Sequence, residues 1–368
     1  MKGQESEVLY FPSETLEKEA GDSYVSSRTY GSFFIPSKQI PKLLKEDLLN
    51  HQDRTIEELL FGERALVEQT FKYPYWKNNP EINYDEMRVS LYGSIALTDD
   101  RNVLDGIIAT GSQLLSPSTQ CEISLRDVCG FLNMDIDTLN SSTEFDRPLL
   151  NRGVYFHIKV PDLLRHLGLS TTTKNRVTIR NRLLRISKMM FVLKYFNNGT
   201  ELPGTKQRNI IYSDELHFLL DSNSLKNKNN ISPDTYTDII VCINDQYLSE
   251  LTNDGFLSRK RLMDVYPDFN KIYGLSDFLK FIDSHKRSFI NKKRLTWLID
   301  SYYDSKPQPS LSSMNIYHVK YKLFEEVKRQ NQQILEHFGF TLCRENVVDL
   351  TNRYNNIDYR LVQESPDK

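Results

Sequence analysis

Residues 161–196 have the sequence PDLLRHLGLSTTTKNRVTIRNRLLRISKMMFVLKYF, and this stretch decides the fold. Pro161 opens a short helix and Gly168 closes it, because proline is favoured just inside a helix start and glycine just past its end. The turn STTT leads into a long helix from Lys174 to Met190. The segments FVLKYF and RNIIYS then follow as two strands joined by NNGTELPGTKQ. The stretch therefore predicts helix, turn, helix and hairpin.

The residues upstream extend this pattern. The strand-like RVSLYGSIAL precedes a helix that Thr98 can cap, and Ser124 caps a second one, LRDVCGFLNM. VYFHIKV alternates in polarity, as a strand with one buried face does. Together with residues 161–196 these elements have the order of a winged-helix domain. We therefore predict a first winged-helix domain over residues 85–222.

The same order returns in the second half of the chain. The strand IIVCIN is followed by the helices LSDFLKFIDSHKRS and KKRLTWLIDSYY, then by a long helix that Gly339 stops. The strand candidates TLCREN with VVDL, and IDYRLV, come next, with Asn355 and Asn356 at the tip of a hairpin. These elements predict a linker over residues 223–236 and a second winged-helix domain over 237–363. The predicted fold class is α+β and helix-rich, with two winged-helix domains in tandem.

Residues 1–84 form an extension to this repeat. Its first 28 residues or so are polar and acidic, with too little apolar surface to offset the entropy of ordering them, so they predict a mobile arm. A short helix is predicted near residues 42–50. A longer one is predicted from Thr55 to Thr70, because Thr55 and Glu58 have the spacing of a capping box. The extension is thus predicted to be partly disordered and partly helical.

Charge is unevenly distributed along the chain. The formal net charge of the 368 residues is −2, yet the stretch from Arg165 to Arg208 has Glu201 as its only acidic residue. Such segregation is typical of a protein with a local nucleic-acid surface. The four cysteines are widely spaced, which indicates neither a zinc site nor a disulfide framework. With no apolar run of membrane-spanning length, we expect a reduced, cytoplasmic protein without a membrane partner.

The long helix from Lys174 has two faces at 100° per residue. Its buried row is Ile179, Leu183, Ile186 and Met190, and the opposite arc offers cations for phosphates and polar groups for base edges. We expect Arg182 and Arg185 to project away from the buried row, so that truncating either one barely changes stability. Arg176 and Arg180 project near the apolar side and are expected at its margin or paired with carboxylates.

The second long helix shows a similar but weaker pattern. Its inward row is Ile316, Val319, Leu323, Val327 and Ile334. Across both modules, the residues predicted to contact DNA are Thr172, Thr173, Lys174, Asn175, Thr178, Asn181, Arg182, Arg185, Lys206, Arg208, Ser312, Ser313, Asn315, His318, Lys322 and Arg353. The alternative interpretation of each helix is a solvated charged face, or for the second helix the surface of a partner-binding domain.

Catalytic patterns are missing from the sequence. GTELPGTK has glycines and a lysine, but the spacing is wrong for a phosphate-binding loop and the segment lies between two strands. The His-x-x-Arg spacing of a tyrosine recombinase occurs only at His51 and Arg54, in the wrong half, and no His-x-His pair suggests a metal-dependent nickase. We therefore predict no enzyme activity, no catalytic residue, no metal site and no cofactor.

Several segments resemble a known family. LYGSIALTDDRNVLDGIIATGSQL, PDLLRHLGLS and NRVTIRNRLLRISKMMFVLKYF, with IYGLSDFLKFIDSH and LTWLIDSYY further on, are similar to replication initiators of theta-replicating plasmids, over roughly residues 85–363. The resemblance implies that both winged helices bind repeated origin sites on double-stranded DNA and that adjacent AT-rich DNA is opened. It also implies recruitment of the host initiator and the replicative helicase in a bacterial cytoplasm, with homodimers that repress and monomers that initiate.

Two other classes of function fit the same residues. One is a winged-helix transcriptional regulator without replication activity. The other is a protein whose basic faces meet acidic proteins. Direct repeats beside AT-rich DNA would favour the initiator, a single promoter palindrome would favour the regulator, and an absence of DNA affinity would leave the third class.

Overall fold

The structure is a computed structural model. It describes residues 34–35, 67–72, 85–94, 96–115, 123–133, 146–149, 153–204, 206–220, 235–244, 247–248, 275–283, 292–304, 316–331, 340–346 and 357–363. These residues form a mixed helix and sheet fold, so the predicted α+β class is confirmed.

The helices and strands are numbered here in chain order. The helices are α1 (Thr98–Thr110), α2 (Leu125–Phe131), α3 (Val160–His166), α4 (Thr173–Ser187), α5 (Leu275–Asp283), α6 (Leu295–Asp304) and α7 (Ile316–Arg329). The strands are β1 (Phe34–Ile35), β2 (Val67–Lys72), β3 (Glu86–Tyr92), β4 (Ala96–Leu97), β5 (Ser112–Leu115), β6 (Gly153–Lys159), β7 (Met190–Asn197), β8 (Thr200–Glu201), β9 (Lys206–Asn209), β10 (Ile211–Leu219), β11 (Asp238–Asn244), β12 (Phe340–Asn346) and β13 (Ile357–Gln363).

A four-stranded sheet in the order β10-β11-β6-β5, called the central sheet below, supports the first half of the chain. Strand β11 is antiparallel to both of its neighbours, and every one of its residues is buried. Ile239, Val241 and Ile243 join the main core, whereas Ile240 and Cys242 pack in a smaller cluster with residues of α2. A strand covered on both faces needs a continuous apolar run, which is why IIVCI does not alternate.

The position of β11 corrects the predicted domain boundary. The sequence pattern predicts IIVCIN in the second domain and a linker between domains over residues 223–236. In the structure β11 pairs between β10 and β6, so residues 220–237 connect two neighbouring strands of one sheet. Tyr247 and Leu248 also belong to the core of the first half. The first module therefore extends to Leu248, because its sheet is incomplete without this strand.

A second sheet has the order β2-β3-β7-β8, with β9 also paired to β7. This corrects the predicted hairpin of FVLKYF with RNIIYS: Arg208 and Asn209 pair with β7, but the strand from Ile211 onward is β10 of the central sheet. Asn198 and Gly199, at φ values of 49° and 78°, turn the chain between β7 and β8, as a two-residue hairpin turn requires. Residues 67–70 correct another prediction, because they lie in β2 and not at the end of a helix. Strand β2 pairs with β3 along its whole length. The rest of that predicted helix, residues 55–66, lies outside the described residues.

Each half of the chain contains three packed helices followed by an antiparallel hairpin. In the first half α1 packs against α3 and α4, and the sheet with β7 and β9 follows. In the second half α5, α6 and α7 share one core, and β13 of the β12–β13 hairpin packs against α6. An isolated bridge joins Arg294, just before α6, to Arg360 in β13. The predicted inward row of α7 is confirmed at Leu323 and Val327, which are buried.

The two halves meet at a buried ion pair. Arg101 of α1 lies with Nη1 2.7 Å from Asp277 Oδ1 of α5, and both side chains are almost fully buried, at 4% and 1% exposed. The Tyr302 hydroxyl donates to the other oxygen of Asp277 at 2.7 Å. Asp105, one turn along α1, lies 3.8 Å from Arg101 Nε. Burial disfavours the charge on Arg101, but the two carboxylates outweigh it and raise the pKa of the guanidinium.

Removing one partner of this pair should destabilise the protein strongly. Asp277→Ala leaves Arg101 buried without its main counter-charge, and we expect a loss of about 3–5 kcal/mol in urea unfolding. The exposed Arg126–Asp146 pair is the matched control, and Asp146→Ala should cost under about 1 kcal/mol. Replacing Arg101 and Asp277 together by methionine should restore much of the loss. Equal effects of Asp277→Ala and Asp146→Ala would contradict this account.

Candidate nucleic-acid interface

The first turn of α4 is the most exposed polar surface predicted to face DNA. Thr172 caps the helix by accepting from the Asn175 N–H, at 3.4 Å, and it is exposed together with Thr173 and Lys174. The first turn contains no acidic residue. Backbone N–H groups at a helix start are partly unsatisfied and favour a negative ligand such as phosphate. The arrangement suits an anionic partner, as the sequence predicts.

Gly168 sets the angle at which α4 leaves α3. It has a positive φ of 66°, its N–H donates to Arg165 O, and the Leu169 N–H donates to Leu164 O. This pair of bonds is a Schellman motif, which ends α3 and needs a residue that tolerates positive φ. Leu169 then packs against the core. The turn between the two helices is thus held in place, and with it the direction of α4.

Two residues predicted to contact DNA, Asn175 and Thr178, make hydrogen bonds within the turn and the helix. The Asn175 amide donates to Ser170 O at 2.8 Å and approaches Ser170 Oγ at 3.1 Å, so it holds the turn rather than extending toward a base edge. The Thr178 hydroxyl donates to Lys174 O at 2.9 Å, within the helix. Asn181 and Lys188 are exposed further along α4. Lys174 and Asn181 therefore keep the outward placement that the helical projection predicts.

Arg182 and Arg185 do not project freely, which corrects their predicted facing. Arg182 Nη2 lies 2.9 Å from Asp99 Oδ2, and Arg185 Nη2 lies 2.8 Å from Asp100 Oδ1. Both carboxylates belong to the first turn of α1, more than eighty residues away in the chain. Both arginines are partly buried by this contact. Long guanidinium side chains reach a neighbouring helix that a single-helix projection leaves out.

Asp100 is an unusual acid because it is completely buried. Burial raises its pKa above the usual value, while Arg185, the Leu97 N–H at 2.6 Å and Arg182 act in the opposite direction. The ionised form is therefore the costly one at this site. Arg185 is the nearest cation, so it makes the negative charge tolerable. The Arg185–Asp100 pair is accordingly part of the packing between α1 and α4.

Arg176 and Arg180 are predicted to lie at the margin of the apolar face of α4 or to pair with carboxylates. Both are partly buried, and the Arg176 guanidinium donates to Tyr236 O just before β11. The Tyr236 hydroxyl donates back to Arg176 O at 2.5 Å. Arg176 thus links α4 to the start of β11 by donating to a backbone carbonyl. The predicted partner was a carboxylate.

The corresponding helix of the second half, α7, presents a mixed face. His318 and Lys322 are exposed there, as predicted, and so are Tyr317 and Tyr321. Lys320 is bound to Asp300 of α6 at 2.7 Å, and Lys328 and Arg329 pair with Glu325 and Glu326 on their own helix. Exposed Trp297 of α6 has Lys293 Nζ 5.1 Å from its ring centre. Polar and charged residue types do not predict these exposed aromatic rings, which a count of exposed aromatic positions on the two helices would have found.

Other residues predicted to contact DNA lie in the second sheet or outside the described residues. Lys206 and Arg208 lie in β9, where their backbones pair with Leu193 and Phe191 of β7. Ser312, Ser313, Asn315 and Arg353 lie outside the described residues. So do Ile334 of the inward row and the hairpin tip at Asn355 and Asn356. Their roles remain predictions.

Within the described ranges, no group of three or more His, Cys, Asp or Glu residues is placed to hold a metal ion. None of the helices described above is both long enough and apolar enough to cross a membrane.

No protein-family model and no curated protein sequence matches the chain. Among solved structures, the chain is similar to a crystal structure of domains 2 and 3 of RctB, a selenomethionine derivative, with 11% identity and a TM-score of 0.49. That match covers 94% of this chain and 99% of the other. A second crystal structure of RctB domains 2-3 matches with 11% identity and a TM-score of 0.46, over 81% of this chain and 91% of that one. With both TM-scores below 0.5, the function has to be inferred from this chain's own residues.

Arg185 and Lys174 should respond differently to truncation. Arg185→Ala leaves the buried Asp100 carboxylate without its nearest cation, so we expect a loss of about 2 kcal/mol in stability. Lys174→Ala removes an exposed side chain and should change stability by less than about 0.5 kcal/mol. The Arg185→Ala deficit should shrink as pH falls, because a protonated Asp100 needs no counter-cation. Thermal unfolding across a pH series measures both effects, and a pH-independent deficit would contradict the role given to Asp100.

Proposed function

We propose that this chain binds double-stranded DNA through two winged-helix modules, with α4 and α7 as the helices that enter the groove. The observation that carries the proposal is the first turn of α4, which contains no carboxylate and exposes Thr173 and Lys174. The α3 and α4 helices, joined by a fixed turn and followed by the β7–β9 hairpin, have the element order of a winged helix. The α6, α7 and β12–β13 elements support a second module of the same kind.

The division of labour within α4 follows from its contacts. Lys174 and the helix start are available to a phosphate, while Asn181 is exposed on the same side, two turns along, and is assigned to a base edge. Arg185 and Arg176 are engaged in packing and are assigned to positioning the helix. In α7, His318 and Lys322 occupy the corresponding outward side. Lys206 and Arg208 in β9 are assigned to the DNA backbone, where the wing of such a module lies.

Within this proposal the protein is a replication initiator that binds repeated origin sites and promotes opening of adjacent AT-rich DNA. The sequence resemblance to plasmid initiators supports this part, and two modules in one chain suit repeated sites. Host initiator and helicase are the partners that the resemblance implies. The second candidate is a winged-helix transcriptional regulator without replication activity, which the same modules would serve. We propose no enzymatic activity and no cofactor for either candidate.

Affinity for duplex DNA should fall steeply with salt. Each phosphate contact releases counterions and adds about −0.9 to the log-log slope of affinity against salt. Lys174→Ala should weaken binding and lower the slope by about one contact, whereas Arg165→Ala, at a cation already paired with Asp162 at 3.0 Å, should change the slope less. Fluorescence anisotropy over a salt series, with and without ATP, measures this. A salt-insensitive affinity or a requirement for ATP would overturn the proposal.

Separating the two modules should strongly weaken DNA binding. The chain should be divided between Leu248 and Leu275, because a cut at residues 223–234 would remove β11 from the first module. A protease site inserted there and cleaved after folding gives two fragments, which are separated by chromatography because the Arg101–Asp277 pair can hold them together. Each fragment should bind the selected site much more weakly than the intact chain, since tethering raises effective concentration.

The same preparation separates initiator from regulator. An initiator should make AT-rich DNA beside its sites reactive to single-strand probes on supercoiled DNA with host initiator present. Opening costs about 1.4 kcal/mol per base-pair step, so several bound sites or host proteins are needed. Fragments that bind as tightly as the whole chain would reject the tandem model. Tandem binding without opening would favour the regulator.

A further inference from the structure

Two arginines of α4 are paired with two successive carboxylates of α1, and the two pairs differ in their surroundings. Arg182 donates to Asp99 through Nη2, at 2.9 Å from Oδ2, and through Nη1, at 3.3 Å from the Asp99 carbonyl. Arg185 donates to Asp100 at 2.8 Å, and Arg182 Nε lies 4.0 Å from the same Asp100 oxygen. The acidic first turn of α1 therefore covers part of the cationic side of the helix proposed to enter the groove.

Exposure shows which pair opens more readily. The side chain of Asp99 is 41% exposed and that of Arg182 is 20% exposed, whereas Asp100 is 0% exposed. The Arg182–Asp99 pair is thus partly open to solvent, which screens it, so exchanging the anion at Arg182 costs less than exchanging the anion at Arg185. Opening the Arg185–Asp100 pair would strand a buried carboxylate. Of the two arginines, Arg182 is the one that can exchange its aspartate partner for another anion.

We propose that Asp99 is a built-in competitor for DNA phosphate, which holds Arg182 until a backbone phosphate replaces it. Carboxylate and phosphate oxygens both match the forked donors of a guanidinium, so the exchange preserves the hydrogen bonds of Arg182. The inference rests on the proposed DNA binding and adds a specificity device to it. When Arg182 leaves Asp99, its hydrogen bonds to the carboxylate are lost. Only a duplex that binds deeply enough to place a phosphate beside Arg182 replaces them. A loosely bound duplex leaves Arg182 with Asp99.

The exchange has a distinct ionic signature. When phosphate replaces Asp99, the DNA releases counterions, but the liberated Asp99 carboxylate attracts a cation in return. Removing the charge of Asp99 abolishes this uptake, so the salt slope should steepen by up to about 0.9, the value for one phosphate contact. Because an exposed pair is weak, affinity should rise only about two- to fivefold. The gain in affinity should be larger for non-specific duplex, because Asp99 no longer competes with the phosphates of loosely bound DNA for Arg182.

The test compares Asp99→Asn with Asp146→Asn in the full-length chain. Asp146→Asn removes the same charge from an exposed ion pair, Arg126 Nε to Asp146 Oδ1 at 2.5 Å, on other elements of the first module. Binding to a labelled duplex carrying the selected site, and to a random-sequence duplex of equal length, is measured over a salt series. We expect tighter binding and a steeper slope for Asp99→Asn than for Asp146→Asn. Adding Arg182→Ala to Asp99→Asn should abolish the difference.

The outcomes separate this inference from the proposed function. Wild-type protein without salt-dependent duplex affinity would remove both. Wild-type binding with equal behaviour of Asp99→Asn and Asp146→Asn would show a net-charge effect and overturn the inference alone, as would a gain that survives Arg182→Ala. Asp99→Ser serves as a second variant if Asp99→Asn unfolds at a lower temperature than wild type. Weaker binding by both well-folded variants would also overturn the competitor role.

Discussion

The charged first turns of α1 are the constraint on which the rest of the structure depends. Asp99 and Asp100 meet the arginines of α4, while Arg101 and Asp105 meet Asp277 of α5. Successive residues of a helix point about 100° apart, so one short segment serves both neighbours. Buried charges are costly unless they are paired, so these contacts favour the placement of α4 and α5 that brings both sets of partners to α1. Helix α1 thus relates the proposed groove-entering helix to the second half of the chain.

The central sheet supplies the support for this arrangement. Helix α4 packs between α1 and β10, and Arg176 ties it to Tyr236 at the entrance to β11. Because β11 is central, the first module includes a strand that returns after a long polar connection. A helix held from two sides by a sheet and an ion pair has little freedom to tilt. Its exposed first turn is therefore presented to a ligand in one orientation, which suits recognition of a rigid duplex.

The candidate site was predicted well where local signals decide it. Gly168 and the inward row of α4 at Ile179, Leu183 and Ile186 were predicted from neighbouring residues, and so was the outward position of Lys174. Met190, the last residue of the predicted row, lies in β7, because the helix ends at Ser187. Arg182 and Arg185 were placed wrongly because their counter-charges come from a helix more than eighty residues earlier. Local charge in the sequence therefore overstated how much positive charge α4 leaves available. Helical projection gives the direction in which a side chain departs, but it does not give what a long side chain reaches.

Sequence alone determined the elements whose formation depends on near neighbours: the α3 and α4 helices, the turn between them, strand β7 and the three helices of the second half. Only the tertiary structure decided where β11 belongs, because a continuous apolar run specifies burial on both faces without naming the partner strands. It also decided which cations of α4 stay exposed. Coulomb attraction and desolvation act between groups close in space, and residues such as Asp99 and Arg182 become neighbours only when the helices pack.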